Sequence, residues 1–235
     1  MVKTVADASG TTHFFEVFKE KSVLGTAMVF APAAVALVET VPMIVYYHGH
    51  NSKGSIEGYI NSLEQRNFRP LLASKQVLLV EPWGGPKSKF GAMATGDGLS
   101  TLIDMAMSVA ISYGTPSRPC PVKSPLPPSL ILAAFSGGGA TLNAVVNSNS
   151  SALSRLKEVW AFDSFYSSEG QTWVKWAGDN PDKTLRVRVT TMEDTGSPRR
   201  ENKIIRATPL KNVDSANPVE LGHEACPGAF IPAWI

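Results

Sequence analysis

Residues 130–143 read LILAAFSGGGATLN, an apolar run that stops at Ser136 and continues as three glycines and a helix-like segment. A strand that turns this sharply into a helix forces the turning residue into strained backbone angles, and only small neighbours fit around it. The strain leaves the Ser136 hydroxyl exposed at the sheet edge, with the amide of Gly137 directed at the group that the hydroxyl attacks. The stretch therefore predicts a nucleophile elbow, a reactive serine on a tight strand-to-helix turn.

A phosphate-binding glycine loop at a helix N-terminus is the alternative interpretation of the same stretch. A P-loop ends in a Lys-Ser or Lys-Thr pair, and a dinucleotide-binding loop spaces its glycines as GxGxxG. Residues 136–143 have neither feature. The stretch therefore favours the nucleophile over the phosphate site.

The composition is that of an ordinary globular protein. The 235 residues are 43% hydrophobic and 18% charged, which argues against disorder and supports a sizeable core. No basic run accompanies the formal net charge of +2, so neither nucleic acid nor an anionic membrane surface is an expected partner. We expect a single domain over residues 1–235, and the sequence leaves its oligomeric state open.

Targeting and membrane segments are not predicted. Residues 1–20 contain no apolar core of a signal peptide. The apolar stretch 23–38 is too short to span a bilayer and contains Pro32. The sequence as it stands therefore predicts a soluble, cytoplasmic protein with no integral membrane segment, secreted only if a signal was removed before residue 1.

The two cysteines, Cys120 and Cys226, are too few for a disulfide framework. Their loops are expected at opposite ends of the sheet, which favours free thiols. The histidines and cysteines also lack the spacing of metal ligands. Neither a metal nor another cofactor is expected.

Apolar β-rich runs alternate with segments of helical periodicity. Strands are predicted at residues 11–19, 26–32, 41–47, 76–80, 130–135, 158–162 and 185–190. Helices are predicted at 55–66, with Ser55 as N-cap, and at 99–113, 140–147 and 170–177. A further helix is predicted to start at Ser197-Pro198, with the serine as cap, and the proline-rich segment 115–129 is a loop. This alternation is typical of a parallel sheet covered by helices on both faces.

A reactive serine needs a base within hydrogen-bonding distance, and that base needs an orienting acid. Of the four histidines, His13 lies in the first predicted strand, and His48 and His50 follow the third. His223 lies in a loop near the C-terminus, after the last predicted strand. Because the order serine, acid, histidine is the one expected for such a sheet, His223 is the predicted base.

With these residues in this order, the chain resembles the α/β-hydrolase superfamily over nearly its whole length. Two leading strands, a His-Gly loop after the third strand, the serine turn after the fifth and the late histidine carry the resemblance. The family's G-x-S-x-G reads Ala134-Phe135-Ser136-Gly137-Gly138 here, and alanine is nearly as small as the glycine it replaces. The resemblance implies an α/β-hydrolase fold, with a mostly parallel central sheet and helices on both faces. No insertion is long enough for a lid domain, so an open cleft is expected.

The resemblance also implies an oxyanion hole built from two backbone amides. Gly137 supplies the first amide, and the loop after the third predicted strand supplies the second, from His50 or from the adjacent Gly49. His48 is expected to be structural, with its ring hydrogen-bonded to the loop backbone.

Two aspartates are candidates for the acid of the catalytic triad. Asp163 follows the predicted strand 158–162 among aromatic residues, and a buried carboxylate there needs a partner such as a histidine. Asp194 follows the next strand, where most hydrolases of this superfamily carry the acid, whereas pancreatic-type lipases resemble the Asp163 arrangement. The sequence around Asp194 is also ordinary turn and helix-start chemistry. Asp163 is preferred and Asp194 is kept as the alternative.

The predicted activity is hydrolysis of a small-molecule or lipid carboxylic ester through an acyl-enzyme. The aromatic residues Trp83, Phe165 and Tyr166 fall in loops at the carboxyl edge of the strands and are candidates for the substrate pocket. The same serine machinery also supports an amidase or a peptidase. A non-catalytic binding protein of the same fold is the alternative from a different class.

Overall fold

The computed structural model describes residues 2–35, 41–62, 69–113, 129–166, 168–191 and 196–235. The strands of its nine-stranded sheet are Val2–Asp7 (β1), Gly10–Lys19 (β2), Ser22–Pro32 (β3), Met43–Tyr47 (β4), Leu78–Pro82 (β5), Leu130–Phe135 (β6), Leu156–Phe162 (β7), Thr184–Arg188 (β8) and Val213–Ser215 (β9). The α-helices are Ile56–Ile60 (α1), Gly96–Tyr113 (α2), Gly139–Val146 (α3), Glu169–Asp179 (α4), Gly196–Arg206 (α5) and Cys226–Trp234 (α6). Short 3-10 turns lie at Gly91–Ala94, Ser136–Gly138, Ser151–Arg155 and His223–Ala225.

The strand order is β1-β2-β3-β5-β4-β6-β7-β8-β9. The strands β1, β2, β3 and β5 pair antiparallel in that sequence, and β5, β4, β6, β7, β8 and β9 pair parallel. From β4 the chain first steps to β5 on one side and then crosses to β6 on the other. Since parallel connections are right-handed, steps in opposite directions place their helices on opposite faces of the sheet.

Two clusters of buried residues fill the two faces accordingly. The larger cluster packs residues of α2, α3, α4 and α5 on one face, and the smaller packs residues of α1 and α6 on the other. Along β4, Met43, Val45 and Tyr47 belong to the larger cluster, whereas Ile44 and Tyr46 belong to the smaller. This alternation confirms the predicted mostly parallel sheet with helices on both faces.

Three described elements were not predicted from the sequence. They are the first strand β1, the short last strand β9 and the C-terminal helix α6. Because β1 precedes the two predicted leading strands, the His-Gly loop follows the fourth strand and the Ser136 turn follows the sixth. The predicted positions after the third and fifth strands were wrong by that one strand.

Helix boundaries also differ from the sequence prediction, and α2 begins at Gly96 instead of residue 99. Ser55 caps α1 as predicted, since its hydroxyl accepts from Gly58 N, but the helix ends at Ile60 and a turn follows at residues 61–62. The rest of the predicted helix, and nearly all of the proline-rich loop, lie outside the described residues. Helix α5 begins at Gly196, so Ser197 lies in its first turn and is not its cap.

Cys226 is a buried free thiol at the start of α6, and burial raises its pKa. Cys120 lies outside the described residues. Within the described ranges, no helix combines the length and the apolar character needed to cross a membrane.

Candidate active site

The backbone of Ser136 lies in the left-handed region, with φ of +47°. A non-glycine residue there costs about 1–3 kcal/mol, so its surroundings must impose the conformation. The Ser136 turn (residues 135–139) runs from the end of β6 through one 3-10 turn into α3. A Cβ atom at Gly138 or Gly139 would overlap the carbonyl oxygen of Tyr47 or of Ser164. The glycines are thus required because the backbones of β4 and of the segment after β7 approach the turn closely.

The His-Gly loop (residues 48–51) packs directly on the Ser136 turn. A Cβ atom on Gly49 would lie 2.8 Å from Ser136 Cβ. The His50 ring covers Gly137, where a Cβ atom would lie 2.7 Å from His50 Cδ2. The backbone of Gly49 and His50 therefore borders the serine on the β4 side, where the sequence predicted the second amide of an oxyanion hole.

His48 is a buried structural residue of this loop. Its Nε2 accepts from Gly84 N at 3.1 Å, and its Nδ1 lies 2.7 Å from the carbonyl oxygen of Gly49. Since Nε2 must be unprotonated to accept, the ring is neutral with its proton on Nδ1. Burial lowers the pKa of His48 to about 4. The ring joins the His-Gly loop to the loop after β5 and packs against Tyr59 and Trp83 at centroid distances of 4.7 and 4.9 Å.

Asp163 and His223 are hydrogen-bonded to each other. His223 Nδ1 donates to Asp163 Oδ2 over 2.9 Å, because a carboxylate can only accept. Asp163 is 3% exposed and also accepts from Thr190 N at 2.8 Å and from Thr190 Oγ1 at 2.7 Å. These donors compensate for the burial of the charge.

The ring of His223 is held beside the Ser136 turn. It packs on Phe135, the residue before the serine, with centroids 4.4 Å apart, and its side chain is 10% exposed. With Nδ1 donating to Asp163, Nε2 is the nitrogen that can accept a proton. The arrangement joins a strained serine, a histidine and a buried aspartate at one edge of the sheet.

The aromatic residues predicted for a pocket occupy different environments. Tyr166 is half-buried, and its hydroxyl lies 3.4 Å from Ser136 Oγ. Trp83 is half-buried beside His48. Phe165 is 2% exposed and stacks on Trp173 at 4.8 Å, so it belongs to the core. The alternative acid Asp194 lies outside the described residues.

The sequence did not single out Thr190 or Glu169. Thr190 follows β8 and bonds both carboxylate oxygens of Asp163. Glu169 opens α4, accepts from the backbone N of Tyr166 and is half-buried. Both are ordinary polar residues at element ends. The strand order brings Thr190 to Asp163, whereas Glu169 contacts Tyr166 three residues earlier in the chain. Among the described residues, no group of three or more His, Cys, Asp or Glu side chains is arranged to hold a metal ion.

Solved structures with the same fold are esterases and hydrolases of low sequence identity. A mutant of the feruloyl esterase module from Clostridium thermocellum, complexed with sinapinate, superposes with a TM-score of 0.62 at 12% identity, over 98% of this chain and 91% of that one. An S-formylglutathione hydrolase from Agrobacterium tumefaciens gives 0.58 at 12% identity, over 99% and 96%. A cold-adapted esterase from an Arctic intertidal metagenomic library gives 0.55 at 13% identity, over 96% and 91%.

No protein-family model and no curated protein sequence matches the chain. The structural similarity and the mostly parallel sheet show that the chain has the α/β-hydrolase fold.

Proposed function

We propose that this protein is a serine hydrolase that cleaves carboxylic esters through an acyl-enzyme on Ser136. The observation that carries the proposal is the buried hydrogen bond from His223 Nδ1 to Asp163 Oδ2, 2.9 Å long, next to the strained serine. In this proposal, Ser136 is the nucleophile, His223 the general base and acid, and Asp163 the residue that orients the imidazole.

The acylation step follows from these roles. Ser136 Oγ bonds to the ester carbonyl carbon, its proton passes to His223 Nε2, and the carbonyl π electrons move onto the carbonyl oxygen. The amides of Gly137 and of His50, or of Gly49, stabilise that oxyanion, with each donor contributing about 3–4 kcal/mol. When the bond to the alcohol oxygen breaks, His223 returns the proton to that oxygen. Water then repeats the sequence on the acyl-enzyme and releases the acid.

Esters are the favoured substrate class. The structures with the same fold include a feruloyl esterase, a hydrolase of S-formylglutathione and a cold-adapted esterase, which act on esters or a thioester. The half-buried ring of Tyr166 lies beside Ser136, and that of Trp83 packs on His48 of the adjoining loop, so both can supply apolar surface for an acyl or alcohol group. An amide or peptide substrate has no comparable support.

A panel of substrates tests the proposed activity. The wild-type protein is assayed on p-nitrophenyl esters of increasing acyl length, beside a lactone and a peptide, with Ser136→Ala and His223→Ala as matched inactive controls. We expect hydrolysis of at least one ester and a loss of several orders of magnitude in kcat in both variants. Activity that survives in Ser136→Ala contradicts the proposal.

A further inference from the structure

We propose that Tyr166 is a catalytic residue whose hydroxyl donates a hydrogen bond to the leaving alcohol oxygen of the substrate. This inference rests on the proposed ester hydrolysis at Ser136. The Tyr166 hydroxyl lies 3.4 Å from Ser136 Oγ, at the long end of hydrogen-bonding distances. In the tetrahedral intermediate, the former carbonyl carbon of the ester is bonded to Ser136 Oγ. The carbonyl oxygen and the alcohol oxygen on that carbon then both lie near Ser136 Oγ, and one of them can come within hydrogen-bonding distance of the Tyr166 hydroxyl.

The strand order decides which of those oxygens Tyr166 meets. Ser136 follows β6, the His-Gly loop follows the neighbour β4 on one side, and Tyr166 follows the neighbour β7 on the other. The oxyanion is expected on the β4 side, beside Gly137 and His50. His223 follows β9, on the same side of β6 as Tyr166, and it must protonate the leaving oxygen. Tyr166 therefore lies on the side from which the alcohol leaves.

The loop that carries Tyr166 is fastened to the helix that starts at the nucleophile. Tyr166 N donates to Glu169 Oε2 at 2.9 Å, and Glu169 N donates back to Tyr166 O at 3.3 Å. Glu169 Oε1 accepts from Asn143 Nδ2 at 3.2 Å, and Asn143 lies on α3, directly after the Ser136 turn. On the other side of the tyrosine, the buried Phe165 ring is stacked on Trp173. These contacts fix the Tyr166 backbone relative to Ser136 and thereby limit the positions that its hydroxyl can take.

The role requires no proton transfer from tyrosine. As the carbon–oxygen bond breaks, its electron pair moves to the alcohol oxygen, and His223 supplies the proton that this oxygen takes up. The Tyr166 O–H bond remains intact and stabilises the negative charge that develops before that transfer is complete. An alkoxide is a much stronger base than p-nitrophenolate, so the oxygen of an alkyl leaving group needs more stabilisation in order to depart. Alkyl esters therefore depend more strongly on Tyr166.

The test compares two esters of the same acid in wild type and in Tyr166→Phe, which keeps the ring and removes only the hydroxyl. We expect kcat/KM for the ethyl ester to fall by about tenfold or more, which corresponds to one hydrogen bond to a charged group. For the p-nitrophenyl ester the expected fall is less than about threefold. Equal losses on both esters, or no loss on either, overturn the assignment.

Tyr47→Phe is the matched control. The Tyr47 hydroxyl is buried and has no hydrogen-bond partner among the described residues. Tyr47 is the last residue of β4, and the proposed mechanism gives its side chain no role. This variant should hydrolyse both esters at the wild-type ratio. A fluorophosphonate labels the serine by expelling fluoride, so its reaction has no alcohol leaving group for Tyr166 to stabilise. Tyr166→Phe should therefore be labelled on Ser136 at a rate within about threefold of wild type. A larger loss would mean that Tyr166 positions the serine instead. A wild-type protein that hydrolyses neither ester contradicts the proposed function itself, and this inference with it.

Discussion

Asp163 accepts hydrogen bonds from both polar groups of Thr190 and from the His223 imidazole. Its backbone, like that of Ser136, has a positive φ, at +45°. Backbone strain of this kind persists only where the surrounding structure imposes it, and strained residues cluster at functional sites. Two such residues in one cluster therefore support the assignment of the site. At the scale of single residues, the proposed site therefore depends on side chains that follow different strands: Asp163 follows β7, Thr190 follows β8 and His223 follows β9.

Replacing the acid tests its assignment. In Asp163→Asn the carboxylate charge that orients the His223 imidazole is lost, and we expect kcat on a p-nitrophenyl ester to fall about 10³-fold or more. Asp194→Asn is the matched variant and should retain near wild-type kcat. A large loss in Asp194→Asn with little change in Asp163→Asn would assign the acid to Asp194 instead of Asp163.

The buried ring of His48 predicts a loss of stability in acid. Its pKa is about 4 in the folded protein against 6.5 for an unperturbed histidine, so the unfolded chain takes up this proton first. The neutral His48 ring therefore contributes about 3 kcal/mol to the free energy of unfolding. This contribution is fully present above pH 6.5 and is lost as the pH falls towards 4. Urea unfolding at pH 7 and pH 4.5 measures it.

The same unfolding measurements in two variants isolate this histidine. His48→Asn removes the titrating ring, so the difference in unfolding free energy between the two pH values should shrink by most of that amount. His50→Asn, at an exposed position in the same loop, should keep the wild-type difference. An unchanged pH dependence in His48→Asn contradicts the assigned pKa.

The element that defines the site is the strand-to-helix turn between β6 and α3. Its glycines have ordinary helical φ angles, −68° at Gly138 and −59° at Gly139, so they are not needed for conformational freedom. They are needed because the backbones of β4 and of the segment after β7 approach them closely. The turn thus sets the position of Ser136 relative to both neighbouring strands.

Adding one methyl group to this turn should displace it. In Gly138→Ala the new Cβ atom overlaps the Tyr47 carbonyl, and we expect about 2 kcal/mol or more of destabilisation together with loss of esterase activity. Gly178→Ala is the matched control, because Gly178 lies in α4 with no atom near its Cβ position. This control should be stabilised by about 0.5–1 kcal/mol in thermal or urea unfolding. A Gly138→Ala protein as stable and active as wild type contradicts the packing argument.

Elements with a strong local signal were predictable from the sequence, and the others were not. The continuous apolar runs of β4 and β6 and the SGGG turn are read directly from neighbouring residues. β1 is an exposed edge strand without an apolar run, β9 has three residues, and α6 contains glycine and prolines that weaken a helical pattern. β1 and β9 form because they pair with the neighbouring strands at the two edges of the sheet, and α6 forms because its buried residues pack in the smaller core cluster.

The site was predictable to the extent that a motif marks each residue. Ser136 and His223 are predicted from the turn and from their order in the chain, and their roles stay predictions. Thr190 carries no local motif, since its contact with Asp163 depends on which strands are neighbours. Glu169 contacts Tyr166 three residues earlier in the chain, but no motif in the sequence places Tyr166 beside Ser136. The pocket prediction for Phe165 did not anticipate that it packs inward on Trp173.

At the scale of the whole molecule, the strand order explains where the site lies. The chain steps from β4 outward to β5 and then across to β6, so the direction of winding reverses between β4 and β6. Open α/β sheets bind ligands beyond the carboxyl ends of the strands at such a reversal. The His-Gly loop and the Ser136 turn follow these two strands, so the proposed oxyanion side and the proposed nucleophile meet at that crevice.

We propose that the described residues fold as a single domain. The two core clusters lie on opposite faces of one sheet, whose first strand begins at Val2 and whose last strand ends at Ser215. Urea unfolding followed by tryptophan fluorescence and by circular dichroism should give coincident single transitions. Two separated transitions would indicate two independent units.

The most direct test of the central claim is labelling with a fluorophosphonate, followed by intact mass measurement and peptide mapping. If Ser136 is a nucleophile activated by His223, one equivalent of phosphonate should attach to Ser136 in the folded wild-type protein. Labelling should be absent in Ser136→Ala and slowed by orders of magnitude in His223→Ala. A folded wild-type protein that takes up no label, or that carries it on another residue, contradicts the account.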